Sequence, residues 1–121
     1  MIGGERGALL AVLGVVVLMA AGQLLFKSTA MSWQAHGTLL APAPALRLLV
    51  SLAVYGVATL AWIWVLQRVP LTLAYPLVAF TFVLVPLGAW WLHGEPLGWR
   101  YMAGMILIGA GVVLATWRQP A

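Results

Sequence analysis

The stretch ALLAVLGVVVLMAAGQLLF, residues 8 to 26, contains no charged side chain and decides the fold. At about 1.5 Å per residue, a helix of this length nearly crosses a hydrocarbon core of about 30 Å. Backbone polar groups find no water in lipid, so such a long run forms a helix whose hydrogen bonds are all internal. The sequence therefore predicts a membrane-spanning helix over about residues 8–27.

Three further apolar stretches follow, over about residues 45–67, 71–92 and 99–117. Of the 121 residues, 64% are hydrophobic and 7% are charged, whereas soluble domains carry roughly 25% charged residues. A water-exposed surface cannot be built from so few charges. We predict an all-α fold, a four-helix transmembrane bundle that forms a single domain over residues 1–121, with loops near residues 28–44, 68–70 and 93–98.

The third predicted helix contains two prolines, Pro76 and Pro86. Each proline removes a backbone donor and bends or loosens a helix. The carbonyls that are freed need partners, so prolines inside membranes often face a protein interior or a wet cavity. We expect a bend at one of them, with at least one bend facing the interior of the bundle.

Four helices are too few to enclose a path for a solute, so a transporter of this size is expected to act as a dimer. Gly104, Gly111 and Ala115 share one face of the fourth helix. Small residues let helix backbones approach closely in lipid. This face serves either a partner subunit or packing within the chain.

The basic residues give no preferred orientation in the membrane. One side is expected to carry Arg6, Arg68 and Arg118, and the other side Lys27, Arg47 and Arg100. An equal division shows no positive-inside bias. It fits a dual-topology protein, and also a fixed orientation that a partner imposes.

Catalytic chemistry has little support in this sequence. Cysteine is absent and there are two histidines, His36 and His93, which excludes thiol catalysis and zinc-thiolate sites. No acidic pair, Ser/His/Asp arrangement or phosphate-binding glycine loop is present. We predict no enzyme, no catalytic or metal-binding residues and no cofactor, and we interpret both histidines as solvated or capping residues.

Polar side chains gather at one end of the predicted bundle, where helix 1 ends, helix 2 begins and helices 3 and 4 turn. A cluster with both signs of charge suits a zwitterionic ligand, because basic groups bind phosphate and a carboxylate binds an amine. The alternative is that Lys27 and Arg47 only extend toward lipid headgroups as anchors. The predicted substrate-binding residues are Gln23, Lys27, Arg47, Tyr75, Glu95 and Arg100.

Four runs carry a family resemblance: AGQLLFK (residues 21–27), VLQRVPLTLAYP (65–76), HGEP (93–96) and GMILIGAGVV (104–113). They resemble the four-helix members of the drug/metabolite transporter superfamily. One branch, the small multidrug resistance transporters, has a membrane-embedded Glu in helix 1 where this sequence has Met19. The other branch, the flippase subunits for undecaprenyl phosphate-linked 4-amino-4-deoxy-arabinose, is more similar in these runs.

That second resemblance implies a flippase of the bacterial inner membrane that moves an undecaprenyl phosphate-linked aminosugar for lipopolysaccharide modification. The implied partners are the polyprenyl phosphate-linked sugar, membrane lipid and a second small subunit, in a homodimer or a heterodimer, with no nucleic acid. The alternatives are a small-solute or multidrug exporter of the same fold and a non-transporting subunit that stabilises a partner. For the flippase, Lys27→Gln and Glu95→Gln are expected to reduce transport and Arg118→Gln to leave it intact.

Overall fold

The computed structural model describes residues 2–117, with side chains from residue 7 onward, and this part of the chain contains helices and no strand. The helices are α1 (Ile2–His36), α2 (Pro42–Leu66), α3 (Leu71–Val78), α4 (Thr81–His93) and α5 (Trp99–Thr116). Together α3 and α4 form the third span, so four spans are long and apolar enough to cross a membrane. The predicted all-α four-helix transmembrane bundle is confirmed. Arg118 lies outside the described residues.

The first helix is longer than the sequence suggested, which corrects the predicted loop of residues 28–44. It continues to His36 and leaves only residues 37–41 as a connection. The helix ends at Gly37, which has a φ of +73° and whose amide donates to the Trp33 carbonyl at 2.8 Å. Such a left-handed residue ends a helix at low steric cost when it is glycine.

The prolines of the first loop begin α2 instead of preventing a helix. Pro42 is the first residue of α2, and Pro44 lies in its first turn. The first amides of a helix have no intrahelical acceptor, so proline loses no hydrogen bond at these positions. Pro44 is fully buried against the rest of the chain.

The third span is broken at Ala79 and Phe80, between its two prolines. The amides of these residues donate to the carbonyls three positions earlier, Pro76 at 3.1 Å and Leu77 at 3.0 Å. The predicted bend at one proline is thus replaced by a tighter turn between them. Pro76 and Pro86 each lack the amide hydrogen that would donate to the carbonyl four residues earlier. The third span therefore has fewer helical hydrogen bonds on both sides of the turn.

The helices pack around α1, which contacts α2, α3 and α4, while α5 contacts α3 and α4. The buried apolar core lies at the end where α1 and α3 begin and α2 and α5 end. Its members are Val12, Val15, Val16, Val65, Val69, Ala74, Leu77 and Val112. Many other large apolar side chains are exposed in the isolated chain. Exposure to lipid tails has little cost, because the tails are as apolar as the side chains.

Candidate functional site

An ion pair joins α1 to the connection that follows α4. The Nζ atom of Lys27 lies 3.5 Å from Oε2 of Glu95, and the two side chains are 48% and 46% exposed. Glu95 follows Gly94, whose left-handed φ of +67° ends α4 and redirects the chain. A half-exposed pair contributes about 0 to 1 kcal/mol to stability. The pair is therefore accessible to a ligand and contributes little to the stability of the fold.

A second cation approaches the same level of α1 from α2. The guanidinium of Arg47 donates a hydrogen bond to Oγ of Ser28, the residue next to Lys27. Consecutive residues of a helix point about 100° apart. Lys27 of α1 and Arg47 of α2 therefore lie at a similar height, on neighbouring sides of α1. Glu95 lies beside Lys27.

Next to the contact between Arg47 and Ser28, two buried hydroxyl groups join α1 to α2. The Oγ1 atom of Thr29 lies 3.0 Å from Oγ of Ser51, and the two residues are 5% and 0% exposed. Each oxygen is also within hydrogen-bond distance of a backbone carbonyl of its own helix, Leu25 at 2.9 Å and Arg47 at 2.7 Å. A buried hydroxyl pair of this kind sets the register of α1 against α2.

Sequence reasoning missed Ser28, Thr29 and Ser51 as part of this end of the bundle. It assigned the first two to the end of helix 1 and the loop, where hydroxyl groups face water. A signal was present, because the polar residues Ser28, Thr29, Ser32 and His36 recur at helical spacing. Continuing the helix through these residues would have placed them beside α2.

Two glycines bring neighbouring helices close to α1 just beneath the ion pair. A Cβ atom added at Gly22 would lie 2.6 Å from Cδ2 of Tyr55, and one added at Gly88 would lie 2.5 Å from Cδ1 of Leu24. Tyr55 also packs on Phe26, with ring centroids 5.3 Å apart. These contacts set the distance from α1 to α2 and α4, and thereby the width of the site.

His93 adds a polar atom without a protein partner at this end. It is the last residue of α4, and its Nε2 atom is buried with no hydrogen bond from the described part of the chain. Leaving a buried polar atom unpaired costs about 1 to 3 kcal/mol. The prediction that His93 is a solvated or capping residue is therefore wrong for its Nε2 atom. The other histidine, His36, is exposed, and its Nδ1 lies 2.8 Å from the Ser32 carbonyl.

The other three predicted site residues have no direct contact with Lys27, Arg47 or Glu95 among the hydrogen bonds and ion pairs of the described residues. Gln23 is exposed on α1, one turn before Lys27, with no hydrogen bond among the described residues. The guanidinium of Arg100 lies over the Trp99 ring, 5.4 Å from its centroid. Tyr75 is 66% exposed near the start of α3, at the end of the third span opposite Glu95. The structure therefore pairs Lys27 with Glu95, places Arg47 on the neighbouring residue Ser28 and leaves Tyr75 apart.

This arrangement is suited to binding. It offers two cations and one carboxylate on one membrane face, a set that fits a ligand with a phosphate and an amine. Among the described residues, no group of three or more His, Cys, Asp and Glu could hold a metal ion.

Comparison with known proteins identifies the family. A protein of Serratia proteamaculans, named a "probable 4-amino-4-deoxy-L-arabinose-phosphoundecaprenol flippase subunit ArnE", is 40% identical over 89% of this chain and 93% of its own length. The corresponding subunit ArnF of Erwinia tasmaniensis is 37% identical over 90% of this chain and 94% of its own length. The chain belongs to this family of flippase subunits.

A further flippase subunit, ArnE of Sodalis glossinidius, is 52% identical over a shorter region, which covers 54% of this chain and 60% of that protein. No family model and no solved structure matches the chain. With four spanning helices and these flippase relatives, the chain is a multi-pass protein of the bacterial inner membrane.

The position that separates the two transporter branches is apolar in the structure as well. Met19 is half-buried and packs against the apolar core of this flippase subunit. A thioether carries no proton at any physiological pH. The residue therefore supplies no titrating group for exchange of a proton against a cationic drug.

Proposed function

We propose that the chain is a subunit of a flippase for an undecaprenyl phosphate-linked aminosugar, and that it is a transporter and not an enzyme. The relatives that cover about nine tenths of the chain are named as 4-amino-4-deoxy-L-arabinose-phosphoundecaprenol flippase subunits. The observation that supports the proposal most directly is the half-exposed Lys27–Glu95 ion pair, with Arg47 bonded to the adjacent residue Ser28.

The charges of the site match those of such a substrate. A lipid-linked aminosugar carries an anionic phosphodiester and a protonated amine, so Lys27 and Arg47 would contact the phosphate and Glu95 the amine. Hydrogen bonds to charged groups contribute about 1.5 to 3 kcal/mol each. A bound substrate would replace the Lys27–Glu95 pair by two ligand contacts, which the weakness of that half-exposed pair allows.

Three neighbouring groups would complete the site. Nε2 of His93 is buried and unpaired, so it would bond to a sugar oxygen only after a movement of the end of α4 exposes it. Gln23 and Arg100 border the same end of the bundle and would contact the sugar and the headgroup region. Tyr75, near the other end of the third span, would meet the substrate only at a different stage of transport.

A second small subunit of the same family is part of the proposal. Four helices do not surround a polar headgroup, and the polyprenyl tail has to remain in lipid. A pair of subunits with a cavity open sideways to the bilayer meets both requirements. Similarity to both ArnE and ArnF supports a partner from this family, in a homodimer or a heterodimer.

The test is transport of lipid-linked aminosugar into the opposite leaflet of vesicles that contain the subunit with its partner. Lys27→Gln and Glu95→Gln are each expected to weaken substrate binding roughly tenfold to hundredfold, because each removes one charge-assisted contact. Gln34→Ala is the matched control, since Gln34 is exposed on α1 two turns beyond Lys27.

Exchanging the two charges of the ion pair distinguishes a role in substrate binding from a role in stability. The double variant Lys27→Glu with Glu95→Lys keeps the ion pair but is expected to remain inactive, because the phosphate and amine contacts are not restored. Parent-level transport by either single variant would show that this end is only a headgroup anchor. Proton-driven efflux of a cationic dye by the parent protein would favour the exporter alternative.

A further inference from the structure

A groove of about 340 Å³ lies at the end of the bundle opposite Lys27 and Glu95. On α1 its wall consists of Gly7, Ala8 and Ala11. The facing wall comes from the end of α2 and the turn after it, and consists of Trp64, Val65, Arg68 and Val69.

The groove exists because small residues face large ones. Gly7, Ala8 and Ala11 have the spacing of one helix face, and none of them carries more than a methyl group. A Cβ atom added at Gly7 would meet nothing within 4 Å. One row of small residues therefore leaves open space between α1 and the end of α2.

The rim of the groove is cationic. The Arg68 guanidinium lies over the Trp64 ring, with its carbon 4.4 Å from the ring centroid. Arg68 is exposed, and a guanidinium held over a ring still has edge N–H groups that can donate to a phosphate. Tryptophan and arginine at a helix end are also typical of the membrane interface. The groove thus presents an apolar floor below a phosphate-binding rim.

We propose that this groove binds the phosphate and the first tail segment of a polyprenyl phosphate lipid on the membrane face opposite the Lys27 end. The proposal rests on the proposed flippase function, because a lipid carried between two leaflets has to be recognised at both. Arg68 is the charged residue among the described groove residues, and it supplies the contact to the lipid phosphate.

The test uses the full chain in detergent micelles and a polyprenyl phosphate probe with a photoreactive group on its first isoprene unit. Peptide mass spectrometry is expected to find adducts on residues 7–11 or 64–69. Filling the groove with Ala8→Leu and Ala11→Leu should lower this labelling at least about tenfold. Ala53→Leu, at an exposed position of α2 outside the groove, should leave it unchanged.

Charge variants test the rim separately. Arg68→Gln should lower groove labelling roughly tenfold, whereas Arg68→Lys should retain most of it and Gln34→Ala, at the other end of the bundle, should retain all of it. Labelling near Lys27 serves as the folding control for each variant, and the single variant Ala8→Leu replaces the pair if the pair misfolds.

Three outcomes would overturn the groove proposal: undiminished labelling after filling, labelling that an equal concentration of diacyl phospholipid abolishes, and an adduct confined to the Lys27 end. The last result leaves the proposed flippase function intact. Absence of labelling at both ends would instead contradict the proposed function itself.

Discussion

At the scale of single residues, α1 connects the two other elements of the headgroup site through consecutive side chains. Lys27 pairs with Glu95 after α4, and Ser28 accepts a hydrogen bond from Arg47 on α2. Rotation or sliding of α1 would therefore change both contacts together. The packing residues on either side of Lys27 along α1, Gly22 and Thr29, keep α1 in this position.

Gly22 provides the first prediction at this scale. Gly22→Ala places a methyl group 2.6 Å from Cδ2 of Tyr55, so the ring or the helix has to move. Overpacking of this kind typically costs about 1 to 3 kcal/mol. Unfolding in a denaturing detergent should show a destabilisation of that order.

Gly56→Ala is the control for this measurement, because a Cβ atom there meets nothing within 4 Å. It should be neutral or slightly stabilising, since alanine favours a helix more than glycine does. Equal stability of the two variants would mean that Tyr55 moves freely and that the contact does not set the helix spacing.

The buried hydroxyl pair provides the second prediction. Thr29→Val and Ser51→Ala each remove one partner of the 3.0 Å contact, and a double-mutant cycle should give a coupling of about 0.6 kcal/mol, with an upper bound near 1.7 kcal/mol. Thr59→Val is the control, because the Thr59 hydroxyl is exposed and donates only to the carbonyl of Tyr55 on its own helix. Strictly additive effects of Thr29→Val and Ser51→Ala would exclude an interhelical bond.

At the scale of elements, α1 and α2 extend past the level of the ion pair. From Lys27 to His36, α1 continues by nine residues, or about 13 Å. Thr29, Ser32 and Pro44 are buried in this extension, so the two helices remain packed together there. The α1–α2 hairpin thus forms a raised wall on one side of the headgroup site.

The break in the third span gives a prediction for that element. Pro76→Ala restores an amide that can donate to the Thr72 carbonyl and removes the proline ring from that turn, so α3 should become more stable up to the break. Hydrogen exchange of the amide at position 77 should slow and thermal stability should rise, while transport should fall if a weakly held α3 is needed for movement of the third span. Slower exchange with unchanged transport would separate the break from the transport cycle.

At the scale of the whole molecule, the two ends of the bundle are built differently. One end contains the valine-rich core, and the other is held by close glycine contacts and buried hydroxyl groups. The face of α5 that carries Gly104 and Gly111 has open space beside both glycines. The isolated chain therefore does not use this face for internal packing at these positions.

The open face of α5 at Gly104 and Gly111 is expected to contact the partner subunit. Gly104→Leu with Gly111→Leu should weaken pairing with a second small subunit, because small residues permit the close helix approach on which association in lipid depends. The monomer should keep its stability, since both new side chains enter open space. Crosslinking or native mass spectrometry measures the pairing, and Gly56→Leu on α2 is the control. Undiminished pairing would place the interface on another face.

The sequence by itself was sufficient for the number of spans and for the shared membrane face of Lys27, Arg47 and Glu95. Hydrophobic length determines the spans, because lipid requires every backbone group to be satisfied within its own helix. The alternation of spans then puts the end of helix 1, the start of helix 2 and the turn between helices 3 and 4 on one side. These conclusions depend only on local composition and connectivity.

Tertiary structure decided where α1 ends, where the third span breaks and which charges meet. Residues 28–36 are polar enough to read as a loop, yet they remain helical where Thr29 and Ser32 pack against α2. The pairing of Lys27 with Glu95, and of Ser28 with Arg47, depends on helix rotation and spacing, which close contacts such as Gly22 with Tyr55 set. Those contacts join residues far apart in the chain, and no local pattern specifies them.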